Sequence, residues 1–145
     1  MSDETPTSIP PNGRILLVVD DQESVRRSIA FYLEYCGYRV HRAESGKQAL
    51  EIFRAEQIDG VLMDVQMPGM SGIEATAQLK ALADQSGRPH KVWLMTGAHT
   101  RELEEHAKQA GGIKLFRKPF DWEELLTDLR MALFPPAQAQ PTNVP

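Results

Sequence analysis

Asp64 closes an apolar run, Gly60-Val61-Leu62-Met63, and opens a turn, Met67-Pro68-Gly69-Met70-Ser71-Gly72. A carboxylate at the mouth of a buried strand is costly unless something uses its charge. Three more apolar runs end in polar residues: Val18-Val19 at Asp20-Asp21, Leu94-Met95 at Thr96, and Leu115-Phe116-Arg117 at Lys118. If these runs are parallel strands of one open sheet, their carboxyl ends share a rim and the five residues converge. Two carboxylates ~4 Å apart repel by about 4 kcal/mol at an effective dielectric of about 20. One of them is then driven toward its neutral form unless a cation intervenes. Mg²⁺ (or Mn²⁺) suits such a place, because hard divalent ions take oxygen ligands, commonly carboxylates with water and phosphate. Asp20 and Asp21 are adjacent and cannot both point the same way from an extended strand. Asp21 is the expected direct ligand, with Asp20 acting through water. Asp64 and the main-chain carbonyl of Gln66 complete the candidate metal set.

With the cation in place, Asp64 is a candidate nucleophile toward a phosphoryl group, giving an aspartyl phosphate. Phosphoryl transfer depends mostly on positioning and charge neutralisation, which Lys118 and the hydroxyl of Thr96 can supply. No general base is needed, because an ordinary aspartate is ionised at neutral pH.

The segments between these residues read as the scaffold that would hold them. Ile15 to Val19 is continuously apolar, as in a strand covered on both faces. Val25, Ile29 and Leu33 recur at helical spacing, and Gly37 can end that helix. Tyr38 to Arg42 alternates as a second strand, and Ser45 caps a helix carrying Ala49, Leu50 and Phe53. A third helix carries Ala75, Leu79 and Leu82; Val92 to Met95 is the fourth strand. A weaker helix on Leu103, Ala107 and Ala110 leads to a fifth strand over Ile113 to Phe116. The clearest helical stripe, Trp122, Leu125, Leu126, Leu129 and Leu133, starts after Asp121 as its cap. Strands alternating with helices predict an α/β fold, a doubly wound five-stranded parallel sheet with helices on both faces. Strand order 2-1-3-4-5, already familiar for sheets of this class, makes strands 1 and 3 neighbours and brings Asp20, Asp21 and Asp64 together.

A chain of 145 residues with 41% apolar and 25% charged residues is one domain's worth with a real core. Net charge −4, without a basic stripe, argues against direct contact with nucleic acid. The single cysteine, Cys36, excludes a disulfide framework and a thiolate metal site, which suits a reducing compartment. No run is long enough for a membrane span or signal peptide core, so the expected location is cytoplasmic. Residues 1–12 and 135–145 are rich in proline and small or polar residues and are expected to be flexible tails around a folded unit at 13–134. His41, His90, His99 and His106 lack metal-ligand spacing and read as surface residues.

Taken together, the four strand-end motifs resemble the CheY-like receiver domain of bacterial two-component response regulators, over nearly the whole folded unit. Asp20-Asp21 looks like the family's acidic pair, and Asp64-Val65-Gln66-Met67-Pro68-Gly69-Met70-Ser71-Gly72 like its phosphoacceptor loop. Thr96-Gly97 resembles the switch hydroxyl with its small neighbour, and Lys118-Pro119-Phe120 the closing lysine with a proline that is usually cis. The resemblance implies a flavodoxin-like (βα)5 domain acting alone as a response regulator. Its Asp64 would accept a phosphoryl group from a phosphohistidine of a sensor histidine kinase or histidine phosphotransfer protein. Thr96 would then move inward and shift the face of helix 4, strand 5 and helix 5 toward a downstream protein target. Self-phosphotransfer and autodephosphorylation would be the only chemistry of such a switch. In one place the sequence departs from the family: where Tyr or Phe usually stands three residues before the lysine, this chain has Leu115, and Phe116 should face the other side of the strand. Two rival readings remain. One is an interaction module that is not phosphorylated, though such modules should have lost one of these positions. The other is a Mg²⁺-dependent phosphatase using an aspartyl phosphate. Haloacid dehalogenase-like enzymes share that logic but put the nucleophile after the first strand, with a second Asp two residues on.

Overall fold

The computed structural model describes residues 10–135. Most of both expected tails, 1–12 and 135–145, therefore lies outside the described residues. The elements alternate without exception: β1 (Ile15–Val19), α1 (Glu23–Tyr35), β2 (Arg39–Ala43), α2 (Gly46–Ala55), β3 (Gly60–Asp64), α3 (Gly72–Ser86), β4 (Val92–Thr96), α4 (Arg101–Gln109), β5 (Lys114–Arg117) and α5 (Trp122–Leu133). The strands form one five-stranded parallel sheet in the order β2-β1-β3-β4-β5, as expected.

Side chains alternate across the sheet and split the core in two. Leu17, Val19, Val61, Met63, Leu94 and Leu115 point to one side, where Leu50 and Phe53 of α2, Leu79 of α3 and Ala107 of α4 cover them. Leu16, Val18, Leu62, Trp93, Met95 and Phe116 point to the other, against Ile29 and Leu33 of α1 and Leu125, Leu129 and Leu133 of α5. Each fully buried aliphatic side chain contributes about 1.5–3 kcal/mol, so both layers are strongly held. Leu115 and Phe116 lie in different layers, as the alternation along the strand requires.

The helix ends follow local chemistry. Ser45 accepts from the Gln48 amide at 3.1 Å, and Asp121 accepts from the amides of Glu123 and Glu124. Ser71 and Thr100 cap α3 and α4 in the same manner. At the end of α1, Gly37 has φ 103°, and the Tyr38 amide turns back to the Leu33 carbonyl at 3.1 Å. That bond explains why the second strand begins at Arg39 and not at Tyr38. The fifth strand likewise starts one residue later than its apolar run, with Ile113 exposed before it, and Ala110 caps α4 without extending it.

Gly72 opens α3 against the end of β3, and its amide donates to the Val65 carbonyl at 2.9 Å. A Cβ at position 72 would overlap the main-chain oxygen of Asp64. Gly72→Ala should therefore shift the Asp64 loop and cost about 3 kcal/mol of stability, measurable as a lower urea midpoint.

Candidate active site

The register sets Asp20, Asp64, Thr96 and Lys118 on one rim. Val19 pairs with Met63, Asp64 with Met95, and Thr96 with Arg117. The Lys118 amide donates to the Thr96 carbonyl at 2.8 Å, so the chain leaves β5 beside the end of β4. The Lys118–Pro119 bond is cis, as the resemblance implied.

Asp20 is fully buried, Asp64 is 3% exposed and Asp21 is exposed. One oxygen from each of the three carboxylates lies within 4.8 Å of the others. Lys118 reaches into this group, its Nζ 3.0 Å from Asp20 Oδ2 and 3.1 Å from Asp64 Oδ1. Asp20 Oδ1 accepts from the Gln22 amide at 2.9 Å, so Asp20 also does the ordinary work of an acidic residue that organises the start of a helix. Arg26 holds the Asp20 carbonyl from α1 at 2.7 Å. That contact was not legible in the sequence, because an arginine on the exposed-looking side of a helix has no unique partner.

The electrostatics are those of crowding only partly relieved. Burial, then the Asp20 charge and to a lesser extent Asp21, push the Asp64 carboxyl from 3.8 up to about 6, against the opposing pull of Lys118. Asp64 is thus still largely ionised at pH 7, as a nucleophile requires. Burial works against the Lys118 charge, but hydrogen bonds to Asp20 and Asp64 outweigh it and leave its pKa raised. Three carboxylates facing one ammonium leave an excess of negative charge, and an all-oxygen donor set of this kind fits a hard divalent cation.

Thr96 is fully buried, yet its hydroxyl does not touch the carboxylates. It donates to Gln66 Oε1 at 3.0 Å and accepts from the Ala98 amide at 3.0 Å. The Gln66 side chain, which sequence spacing left without a role beside its main-chain carbonyl, thus meets the one hydroxyl of the candidate set. The four histidines are exposed or half-buried. Trp93 is core, and Trp122 is half-buried against Phe120 and Tyr32. Beside Lys118 a groove of about 480 Å³ runs between α1 and the start of α5, lined by Val25, Ile29, Phe120 and Trp122. No described helix is long and apolar enough to cross a membrane.

Comparison with known proteins gives a single answer. A sequence model for the response regulator receiver domain matches residues 16–130. Sporulation initiation phosphotransferase F of Bacillus subtilis is 34% identical over 110 residues, covering 76% of this chain and 86% of that protein. Response regulator MprA of Mycolicibacterium vanbaalenii is 33% identical over 118 residues, covering 81% of this chain but 49% of that protein, so the chain matches about half of MprA's length. Among solved structures, the receiver domain of the histidine kinase CKI1 from Arabidopsis thaliana, complexed with Mg²⁺ and BeF₃⁻, superposes with a TM-score of 0.70 at 27% identity. That match covers 81% of this chain and 89% of the CKI1 chain.

Proposed function

The chain belongs to the response regulator receiver domain family, whose members are signalling switches, and from that premise we propose that Asp64 is the phosphoacceptor of this one. The observation that carries the reading is the buried Asp64 carboxylate, held 3.1 Å from Lys118 and crowded by Asp20 and Asp21 at the end of β3. An Asp64 oxygen attacks the phosphorus of a phosphohistidine. The P–N bond breaks, its electron pair stays on the imidazole, and an acyl phosphate P–O bond forms. Lys118 pairs with the incoming charge, and Thr96 donates its hydroxyl to a phosphoryl oxygen.

Asp21 and Asp64 with the main-chain carbonyl of Gln66 would hold the divalent cation directly, and Asp20 through water. Both Asp20 oxygens are already engaged, by the Gln22 amide and by Lys118, which supports that division. When bound, Mg²⁺ supplies positive charge to the phosphoryl oxygens. Attack of water on the phosphorus later returns phosphate and the Asp64 carboxylate, resetting the switch.

The phosphodonor is a histidine kinase or a histidine phosphotransfer protein in the cytoplasm. Its docking face is the outer side of α1, where Phe31 is 71% exposed near Arg27. The readout passes through α4, β5 and α5 to a protein target, without the usual aromatic at position 115.

The test is intact-mass analysis after incubation with Mg²⁺ and acetyl phosphate. One phosphoryl adduct, stable in acid, labile in base and absent from Asp64→Asn, is the expected result. No adduct, or one that persists in the variant, overturns the assignment. Steady turnover of ordinary phosphate monoesters would point instead to a phosphatase.

A further inference from the structure

We propose that the Gln66 side chain is a positioning residue that latches Thr96 in the resting state, so that phosphorylation must break the Thr96–Gln66 hydrogen bond before Thr96 can serve the phosphoryl group. The inference rests on Asp64 being the phosphoacceptor and adds a residue to that reading. Its basis is the hydrogen-bond inventory of one hydroxyl. Thr96 has a single proton, and that proton is given to Gln66 Oε1 at 3.0 Å. The Ala98 amide, 3.0 Å away, occupies the hydroxyl oxygen from the other side. The bond ties a fully buried hydroxyl to the side chain of an exposed residue, Gln66.

An acyl phosphate on Asp64 presents charged oxygens to the same hydroxyl. A charge-assisted bond is roughly twice as strong as a neutral one, so the phosphoryl group wins the exchange. What it gains is only the difference between the two bonds. The resting state therefore resists switching by about the worth of one neutral hydrogen bond. Gln66 sets how much of the phosphoryl group's attraction for Thr96 survives as a shift in population. A side chain of the same length that has no oxygen acceptor, only a weak thioether one atom nearer the main chain, as in Gln66→Met, releases the latch.

The probe is beryllofluoride with Mg²⁺, standing in for the phosphoryl group, titrated by ¹H–¹⁵N NMR into the full chain. Gln66→Met should bind it about threefold to tenfold more tightly than the native protein. In a Thr96→Val background, which has no hydroxyl to latch, the same substitution should change nothing. A second readout needs no ligand. Exchange of the Ala98 amide hydrogen should be faster in Gln66→Met, because an unlatched Thr96 turns away from it. In Gln66→Glu, which keeps an acceptor at that reach, the amide should stay protected. Equal or weaker beryllofluoride affinity in Gln66→Met, an effect that survives Thr96→Val, unchanged Ala98 exchange in Gln66→Met, or loss of protection in Gln66→Glu each overturns the latch. In those outcomes native binding of beryllofluoride stands and so does the phosphoacceptor reading. If the native chain and Asp64→Asn alike fail to bind the probe, the phosphoacceptor reading falls and the latch falls with it.

Discussion

Asp64→Asn should eliminate the phosphoryl adduct and, in the absence of divalent cations, make the protein more stable by about 3 kcal/mol at pH 7.5. The two effects have one cause. The carboxylate that is needed for chemistry is held where its charge is disfavoured, its pKa raised from 3.8 to about 6 by burial and by Asp20. A raised pKa means that the folded state binds the proton more tightly than the unfolded chain does. Asp64 therefore favours folding below about pH 4, where it is neutral in the fold. That contribution is lost as pH rises through 6, leaving the full cost of the charge above it. The advantage of the asparagine variant should follow the same course, largest above pH 7 and shrinking as pH falls from 6 toward 4. Urea denaturation in EDTA across that range measures it. A variant less stable than the native chain at pH 7.5, or an advantage that grows in acid, would contradict the account. Mg²⁺ should narrow the gap by stabilising only the protein that has Asp64, in proportion to saturation.

That crowding could be read from the sequence because each member of the site ends a strand. A parallel sheet puts all strand ends on one rim, so finding the runs that end at Asp20, Asp64, Thr96 and Lys118 was enough to gather them. The opposite facing of Leu115 and Phe116 followed from alternation along the strand, whereas the order of the strands came from the arrangement familiar for sheets of this class. The limits of β2 and β5 did not. They depend on which amide each turn consumes, as with Tyr38 closing α1, and hydropathy carries no record of that. The direction of the Thr96 hydroxyl was equally hidden. A threonine and a glutamine thirty positions apart form a 3.0 Å bond only because the loops after β3 and β4 lie side by side. Spacing along the chain could nominate Thr96 but not its resting partner.

Lys118→Met tests the other half of the electrostatic balance, since among the described residues Lys118 is the one cation ion-paired with Asp20 and Asp64. The Lys118 side chain is 20% exposed and the two acidic side chains are almost wholly buried, so its loss leaves two like charges facing each other without compensation. Removing one partner from a buried ionic cluster costs about 3–5 kcal/mol, and the variant should lose that much stability at pH 7.5 in EDTA. The loss should be smaller in acid, because the Asp64 carboxyl, released from the opposing pull of Lys118, then takes a proton still more readily. Adding Asp64→Asn to Lys118→Met should restore much of the stability, and the double-mutant cycle should report a coupling of more than about 1 kcal/mol. Phosphorylation by acetyl phosphate should slow by about 10- to 100-fold, the worth of one charge-assisted contact to the transferring group. A variant as stable as the native chain, or phosphorylated at the same rate, would mean that the 3.0 and 3.1 Å contacts of Lys118 are not what balances the pocket.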